Sequence, residues 1–186
     1  MTDVVGQADP FDPETRAKQY AAGTDEAWVA ELLAARRDEI VNRWVEAARH
    51  QPFHAGRPER AVADHIPHLF DGLIALLRRR AAGDTDEPAP LEDPHVLEQA
   101  RGHAADRFQQ GLAAADIATE FRLLRQEIGR ALRVHLDDQV HHLRPGASLE
   151  DLIGAELVVH DALDAAASLA LAAFDEREAD RRRLAA

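Results

Sequence analysis

The chain has 186 residues, with 34 acidic and 22 basic side chains and a formal net charge of −12 at pH 7. This length fits one compact domain, and the negative charge disfavours nucleic acid and anionic lipid as partners. The chain contains no cysteine, which excludes disulfides and thiolate zinc sites and fits a reducing compartment. We find no basic, apolar leader and no stretch close to the roughly 18 apolar residues of a membrane span, so we expect a cytoplasmic protein with no membrane partner.

The first part of the chain separates into a leader and a helix. Residues 1–23 combine prolines, glycines and acidic side chains without a hydrophobic period, which predicts a disordered leader. Thr24 and Asp25 can cap a helix, and an apolar face runs from Trp28 to about Arg49. We therefore expect the folded domain to span residues 24–177 and to open with one amphipathic helix.

Prolines and a glycine divide the next part. Pro52 and Gly56 end the first helix, while Pro58 and Pro67 each suit the first turn of a new one. The second of these helices carries the densest apolar run of the chain and closes on the three arginines at 78–80. Cations stabilise the C-terminal end of a helix, so these arginines are predicted to be a solvated cap.

Two polar side chains share the apolar face of the following helix. After a long acidic loop over residues 83–93, Asp93 caps a helix whose first residue is Pro94. His103 and Arg107 then follow at helical spacing on the same face as its apolar residues. The sequence thus predicts that both point toward the protein interior.

The stretch Leu112–Leu136 is the clearest amphipathic helix of the sequence. Gly111 allows a tight entry, Asp116 can cap the helix, and Glu120 and Arg125 flank its apolar stripe. That stripe consists of Ile117, Phe121, Leu124, Ile128 and Leu132. We expect the other helices to pack around this one.

The last helix is predicted to be long and apolar on two sides. Ser148 and Asp151 resemble a capping box, and the pattern continues to about Arg183, with a charged helical tail over residues 178–186. A helix with two apolar faces usually has a second partner, so we expect a homodimer contact along it. The predicted dimer and transmission surface consists of Leu157, Val158, His160, Leu163, Leu169 and Leu171.

No motif indicates catalysis, and we predict no catalytic residues. The chain has no glycine-rich phosphate loop and no His-Glu-x-x-His, and its few serines and threonines suit caps or surfaces. His160-Asp161 resembles a phosphoaccepting histidine, but Ala162–Asp164 lacks the residues that usually follow. A histidine paired between Glu156 and Asp164 is favoured instead.

The ten histidines raise the question of a metal. Glu92-x-x-His95 matches half of a di-iron bundle motif, but it straddles Asp93-Pro94 at a helix start, and no second copy is evident. We therefore predict neither a metal site nor a bound cofactor, and a di-metal enzyme is the least favoured class.

The most informative polar set is His103, Arg107, Glu120 and Arg125. These side chains lie on two consecutive predicted helices and would form a buried polar cluster where the helices pack. An interhelical ion-pair network that fixes the register of the helices is favoured over direct ligand contact. The same cluster is the best candidate for a signal switch.

At these residues the sequence resembles the N-terminal domain of RsbR-type stressosome proteins, the RsbRD amino-terminal family. The resemblance covers approximately Ala27 to Arg177. It rests on the helix from Leu33 to Trp44, on His103-x-x-x-Arg107-x-x-x-Gly111, and on Glu120-Phe121-Arg122-Leu123-Leu124-Arg125-x-x-Ile128.

The resemblance implies an all-α, globin-like bundle of about five to six helices with a long C-terminal helix. It further implies a sensor that binds no haem, dimerises, and passes a signal through its last helix to a STAS-type or kinase output partner. RsbR-type proteins carry a STAS domain that is not found after Phe174. The chain is therefore expected to be either a single-domain member or a piece of a longer regulator.

One alternative remains open from the residues themselves. His103 and His135 fall on inward faces, as the axial ligand of a haem would. A haem- or small-ligand-binding globin-like sensor is therefore the alternative to a sensor without a cofactor.

Overall fold

A computed structural model describes residues 26–63, 65–82, 93–141 and 149–185. Within these ranges the secondary structure is helical and contains no strand, which confirms the predicted all-α class with a long C-terminal helix. The elements are α1 (Glu26–Ala35), α2 (Arg37–Arg49), a 3₁₀ turn (Pro52–His54), α3 (Glu59–Ala63), α4 (Ile66–Ala81), α5 (Pro94–Gln109), α6 (Ala114–His141) and α7 (Leu149–Ala185). The predicted leader, nearly all of the acidic loop, and Ser148 lie outside the described residues.

The first amphipathic stretch forms two helices where the sequence predicted one. Arg36 lies between α1 and α2 with φ −107° and ψ 12°, yet the backbone bonds from Arg36 N to Leu32 O and from Ile40 N to Arg36 O continue across it at 3.1 and 3.0 Å. The apolar period does not stop at the bend, because side chains on both sides of it are buried. Periodicity alone therefore could not place the break.

The helices form one core. In that core α7 packs mainly on α5 and α6, α2 packs on α6, and α4 lies against α1 and α5. The largest buried apolar side chains include Trp44, Phe70, Leu69, Leu124 and Ile128. The predicted central helix, α6, thus contacts both α2 and α7.

Glycines allow α4 and α5 to approach each other closely. A Cβ on Gly72 would lie 2.7 Å from the ring of His95, and one on Gly102 would lie 2.8 Å from the ring of His65. Each helix therefore supplies a glycine against which a histidine packs: His95 comes from α5, and His65 is the N-cap residue of α4.

The turn between α5 and α6 fixes how these two helices meet. Gly111 adopts φ +74°, a conformation that favours glycine, and Leu112 N donates to Arg107 O at 3.0 Å. Asp116 Oδ2 accepts from Ala113 N at 2.8 Å, which caps the start of α6. This tight turn brings the end of α5 beside the first turns of α6.

The C-terminal helix is more apolar than the sequence expectation allowed. Within the described residues, Ile153–Ala185 is long and apolar enough to cross a membrane by length and composition, with a mean hydropathy of 1.6 in its most apolar window. Half of that window is buried inside the fold, against α5 and α6. Core helices of soluble proteins pass the same test, so the finding corrects the expectation about hydropathy and carries no further conclusion.

Candidate functional site

Glu120 is a fully buried carboxylate at the meeting point of four elements. It lies near the start of α6, where α5 supplies Arg107 and His103, and the 3₁₀ turn supplies His54. From α2, Trp44 Nε1 donates to the backbone oxygen of Glu120 at 3.0 Å. One residue thus joins α2, α5, α6 and the segment after α2.

Arg107 is fully buried and distributes its hydrogen bonds between the carboxylate and the backbone of α3. Its Nε lies 2.9 Å from both Oε1 and Oε2 of Glu120. Nη1 donates to Ala61 O at 2.9 Å and to Gln110 Oε1 at 3.2 Å, and Nη2 donates to Val62 O at 2.7 Å. Arg107 therefore neutralises Glu120 and also caps the last carbonyls of a short helix.

Two histidines complete the cluster. His54 Nε2 lies 2.7 Å from Glu120 Oε1, and His103 Nε2 lies 3.0 Å from Oε2. An ionised carboxylate only accepts hydrogen bonds, so each Nε2 carries the hydrogen that faces Glu120. On the other side of the His54 ring, Nδ1 is buried without a hydrogen-bond partner among the described residues. The ring of His103 packs edge-on against Phe121, with centroids 5.8 Å apart.

The surroundings of Glu120 favour its charged form. Burial by itself would raise the pKa of this carboxyl, but the hydrogen bonds from His103 and His54 and the charges of His103 and Arg107 act in the opposite direction. The outcome is a pKa well below the ordinary range of a glutamate. Glu120 is thus ionised in the folded protein at neutral pH.

Arg125 lies outside this cluster, although the sequence grouped it with the other three residues. It forms an ion pair with Asp164 of α7, and their side chains are 34% and 64% exposed. Nearby, the pKa of His160 is lowered by burial and by the charge of Arg125, with Glu156 opposing the shift. Arg125 therefore links α6 to α7 at the surface.

The six predicted dimer residues divide into two groups. Val158 and Leu163 are 2% and 0% exposed, so they belong to the core of their own chain and are not accessible to a second copy. The prediction placed Val158 and Leu163 on a surface that a second copy would cover, whereas both lie in the core of their own chain. The other members, Leu157, His160, Leu169 and Leu171, are partly exposed.

The predicted charged tail continues α7 without a break. The helix runs to Ala185, and the Arg181 guanidinium lies 5.3 Å from the ring centroid of Phe108 in α5. Phe108 in turn packs edge-on against Phe174, at 5.6 Å between centroids. The first part of the tail is therefore attached to the end of α5.

Sequence reasoning missed His54. Its signal would have been the Pro52 break, because a histidine two residues after a helix-ending proline can turn back toward the core. The contact partner of His54 is remote in sequence, at a separation of 66 residues, so helical periodicity could not supply it.

The cluster places a buried negative charge against a buried positive one. Within the described residues, no group of three or more His, Asp or Glu side chains is arranged to hold a metal ion. The charge opposite Glu120 is the guanidinium of Arg107. Of the two histidines considered for haem, His103 faces Glu120, and the ring of His135 lies 5.8 Å from that of Trp28.

Comparison with known proteins identifies the family. No curated protein and no solved structure matches the chain. The model of the RsbT co-antagonist protein rsbRD N-terminal domain matches residues 38–186, which is well over half of the chain and includes every residue of the cluster. The chain therefore belongs to the RsbRD N-terminal domain family.

Proposed function

We propose that this protein is a noncatalytic signal-sensing domain of bacterial stress or two-component-type signalling. It works in the cytoplasm as a homodimer and transmits its signal through α7 to a STAS-type or kinase output partner. Membership of the family of RsbT co-antagonist N-terminal domains supports a regulatory role in stressosome-type signalling. The polar cluster adds support, because its buried charges bind one another: Glu120 pairs with Arg107 and accepts hydrogen bonds from His103 and His54.

The proposal is supported by the position of the cluster relative to α7. Arg107 and His103 lie in α5 and Glu120 lies in α6, and these are the two helices on which α7 mainly packs. A change in the charge or hydrogen bonding of Glu120 alters how α5 and α6 fit together. Because packed helices have discrete arrangements, α7 responds to that change.

A narrow surface on α7 suits the second copy. Leu157, His160 and Leu171 are partly exposed and are separated by three and eleven residues, about one and three helical turns. They therefore share one side of the helix, next to the exposed Asp164. Leu169 and Leu171 both pack partly buried against the core, but Leu169 lies on a different side of the helix from the other three residues, so we assign the dimer contact to Leu157, His160 and Leu171.

Sedimentation equilibrium at high micromolar concentration tests the dimer. We expect a dimer for the unsubstituted chain and a monomer for the double variant Leu157→Glu/Leu171→Glu, because each glutamate would place a charge in an apolar contact. Ala172→Glu, at an exposed position of the same helix, is the control and should remain dimeric. A monomeric parent protein would refute transmission through paired α7 helices.

A further inference from the structure

The segment Gln51–Ala63, which we name the strap, connects α2 to the chain leading into α4. It contains the 3₁₀ turn, Gly56 at φ +77°, and α3. Along the strap only the side chains of His54 and Val62 are buried. Val62 is thus the one fully buried apolar side chain of the segment, and Ala63 packs partly buried against the core.

The strap is held to the rest of the fold chiefly by hydrogen bonds to the cluster. His54 Nε2 lies 2.7 Å from Glu120 Oε1. Arg107 donates to the backbone oxygens of Ala61 and Val62 at 2.9 and 2.7 Å. These bonds hold both ends of the strap to the same buried ion pair.

A second set of contacts leads to the end of α5. Gln110 Nε2 donates to Ala61 O at 3.2 Å, and Arg57 Nη2 donates to Gln110 O at 2.7 Å. The ion pair between Arg49 and Glu59, at 3.2 Å, is exposed, so solvent weakens it. The remaining attachment is therefore polar and is centred on two residues, Arg107 and Gln110.

We infer that the strap opens away from the fold as one unit, with the Glu120–Arg107 ion pair and His54 as its latch. Water replaces hydrogen bonds readily, whereas it does not replace buried apolar contact, so a segment with one fully buried apolar side chain opens at a lower free energy than the core. Opening admits water to Glu120 and Arg107, which are otherwise fully buried. This inference rests on the proposed role of the cluster, and it identifies the strap as the part of the fold that responds first to a change in the cluster.

Cysteine labelling measures this opening directly, because the chain contains no cysteine. Val62→Cys places one thiol under the strap, and Val158→Cys places one in α7; the two valines are 0% and 2% exposed. We expect the Val62→Cys thiol to react at least about tenfold faster with a thiol reagent than the Val158→Cys thiol. Equal rates would mean that the strap opens only in global unfolding, which overturns the inference.

Hydrogen exchange of the unsubstituted chain makes the same comparison without a substitution. Amides of α3 should exchange faster than amides in the middle of α4, which carries many buried apolar side chains. Equal protection in the two helices would contradict the inference that the strap opens independently of the core.

Substitutions of His54 test the latch. A glutamine amide nitrogen reaches about as far as Nε2 of histidine, whereas asparagine is too short. In the Val62→Cys background, His54→Asn should therefore accelerate labelling several-fold, and His54→Gln should restore most of the protection. If His54→Asn leaves the rate unchanged, or accelerates Val158→Cys labelling equally, His54 is not a latch. Labelling is measured on each chain, so a monomeric protein would refute the dimer without affecting this result.

Discussion

His54 and Glu120 are 66 residues apart in the sequence, yet Nε2 of the histidine lies 2.7 Å from Oε1 of the carboxylate, and both side chains are fully buried. The contact connects a short segment that has one fully buried apolar side chain to a fully buried carboxylate. Through Arg107 and His103 the same carboxylate joins α5 to α6. Glu120 therefore lies between the two helices on which α7 mainly packs.

Removing one partner of the buried ion pair should strongly destabilise the fold. Glu120→Gln keeps the shape of the side chain but leaves the guanidinium of Arg107 buried without a counter-charge, at a cost of about 3–5 kcal/mol. Urea unfolding measures this loss. Glu127→Gln is the matched control, because Glu127 lies on the same helix and pairs with the partly exposed Arg43 and Arg130. This substitution should lower the free energy of unfolding by less than about 1 kcal/mol. Similar losses in the two variants would contradict the account.

The decrease in the free energy of unfolding at acidic pH should depend on Glu120. Because its pKa is lower in the folded than in the unfolded protein, the unfolded chain takes up the proton first as the pH falls. The stability contributed by Glu120 is thus fully present above the ordinary pKa of 4.5 and is lost as the pH falls from there toward the folded value. In urea unfolding, Glu120→Gln and the parent protein should show the same pH slope near pH 6, and the slope of the variant should become smaller by up to about 1.4 kcal/mol per pH unit as the pH falls below about 4. Equal slopes in that acidic range would mean that Glu120 does not carry this linkage.

The surface pair of Arg125 and Asp164 should contribute much less. The two side chains are partly exposed, so solvent screens their attraction. A double-mutant cycle with Arg125→Gln and Asp164→Asn should give a coupling energy below about 1 kcal/mol. A coupling as large as that between Arg107 and Glu120 would show that Arg125 is also a structural part of the fold.

Hemin should not bind to a defined site. His103 is fully buried with its Nε2 facing Glu120, so coordination of iron by that nitrogen would break the cluster. Titration of the purified protein with hemin should leave the Soret band at the position of free hemin. A saturable Soret shift that disappears in His103→Gln would instead support the haem-sensor alternative.

The sequence predicted the cluster in part, and the exceptions have a geometric cause. Helical spacing placed His103 and Arg107 on one inward face, and Gly111 indicated the turn that brings Glu120 to them. Arg125 follows Glu120 by five residues, which is about 140° around a helix, so the two side chains flank opposite edges of the apolar stripe. Arg125 consequently reaches α7 and not α5.

Nonlocal contacts and helix bends were beyond the reach of periodicity. His54 belongs to the cluster only because the strap folds back on α5 and α6. The break at Arg36 leaves the apolar period intact, and the burial of Val158 and Leu163 depends on which neighbours cover α7. Each of these features is set by tertiary packing.

We propose that Glu120 controls the arrangement of paired α7 helices, and a distance measured between the two copies of a dimer tests this proposal. Ala172→Cys provides one attachment site for a spin label per chain, at an exposed position of α7. Double electron–electron resonance then measures the distance between the two labels in the dimer. We expect a defined distance that shifts in Glu120→Gln and stays unchanged in the control Glu127→Gln. Identical distance distributions in all three proteins, or no dimer distance at all, would contradict it.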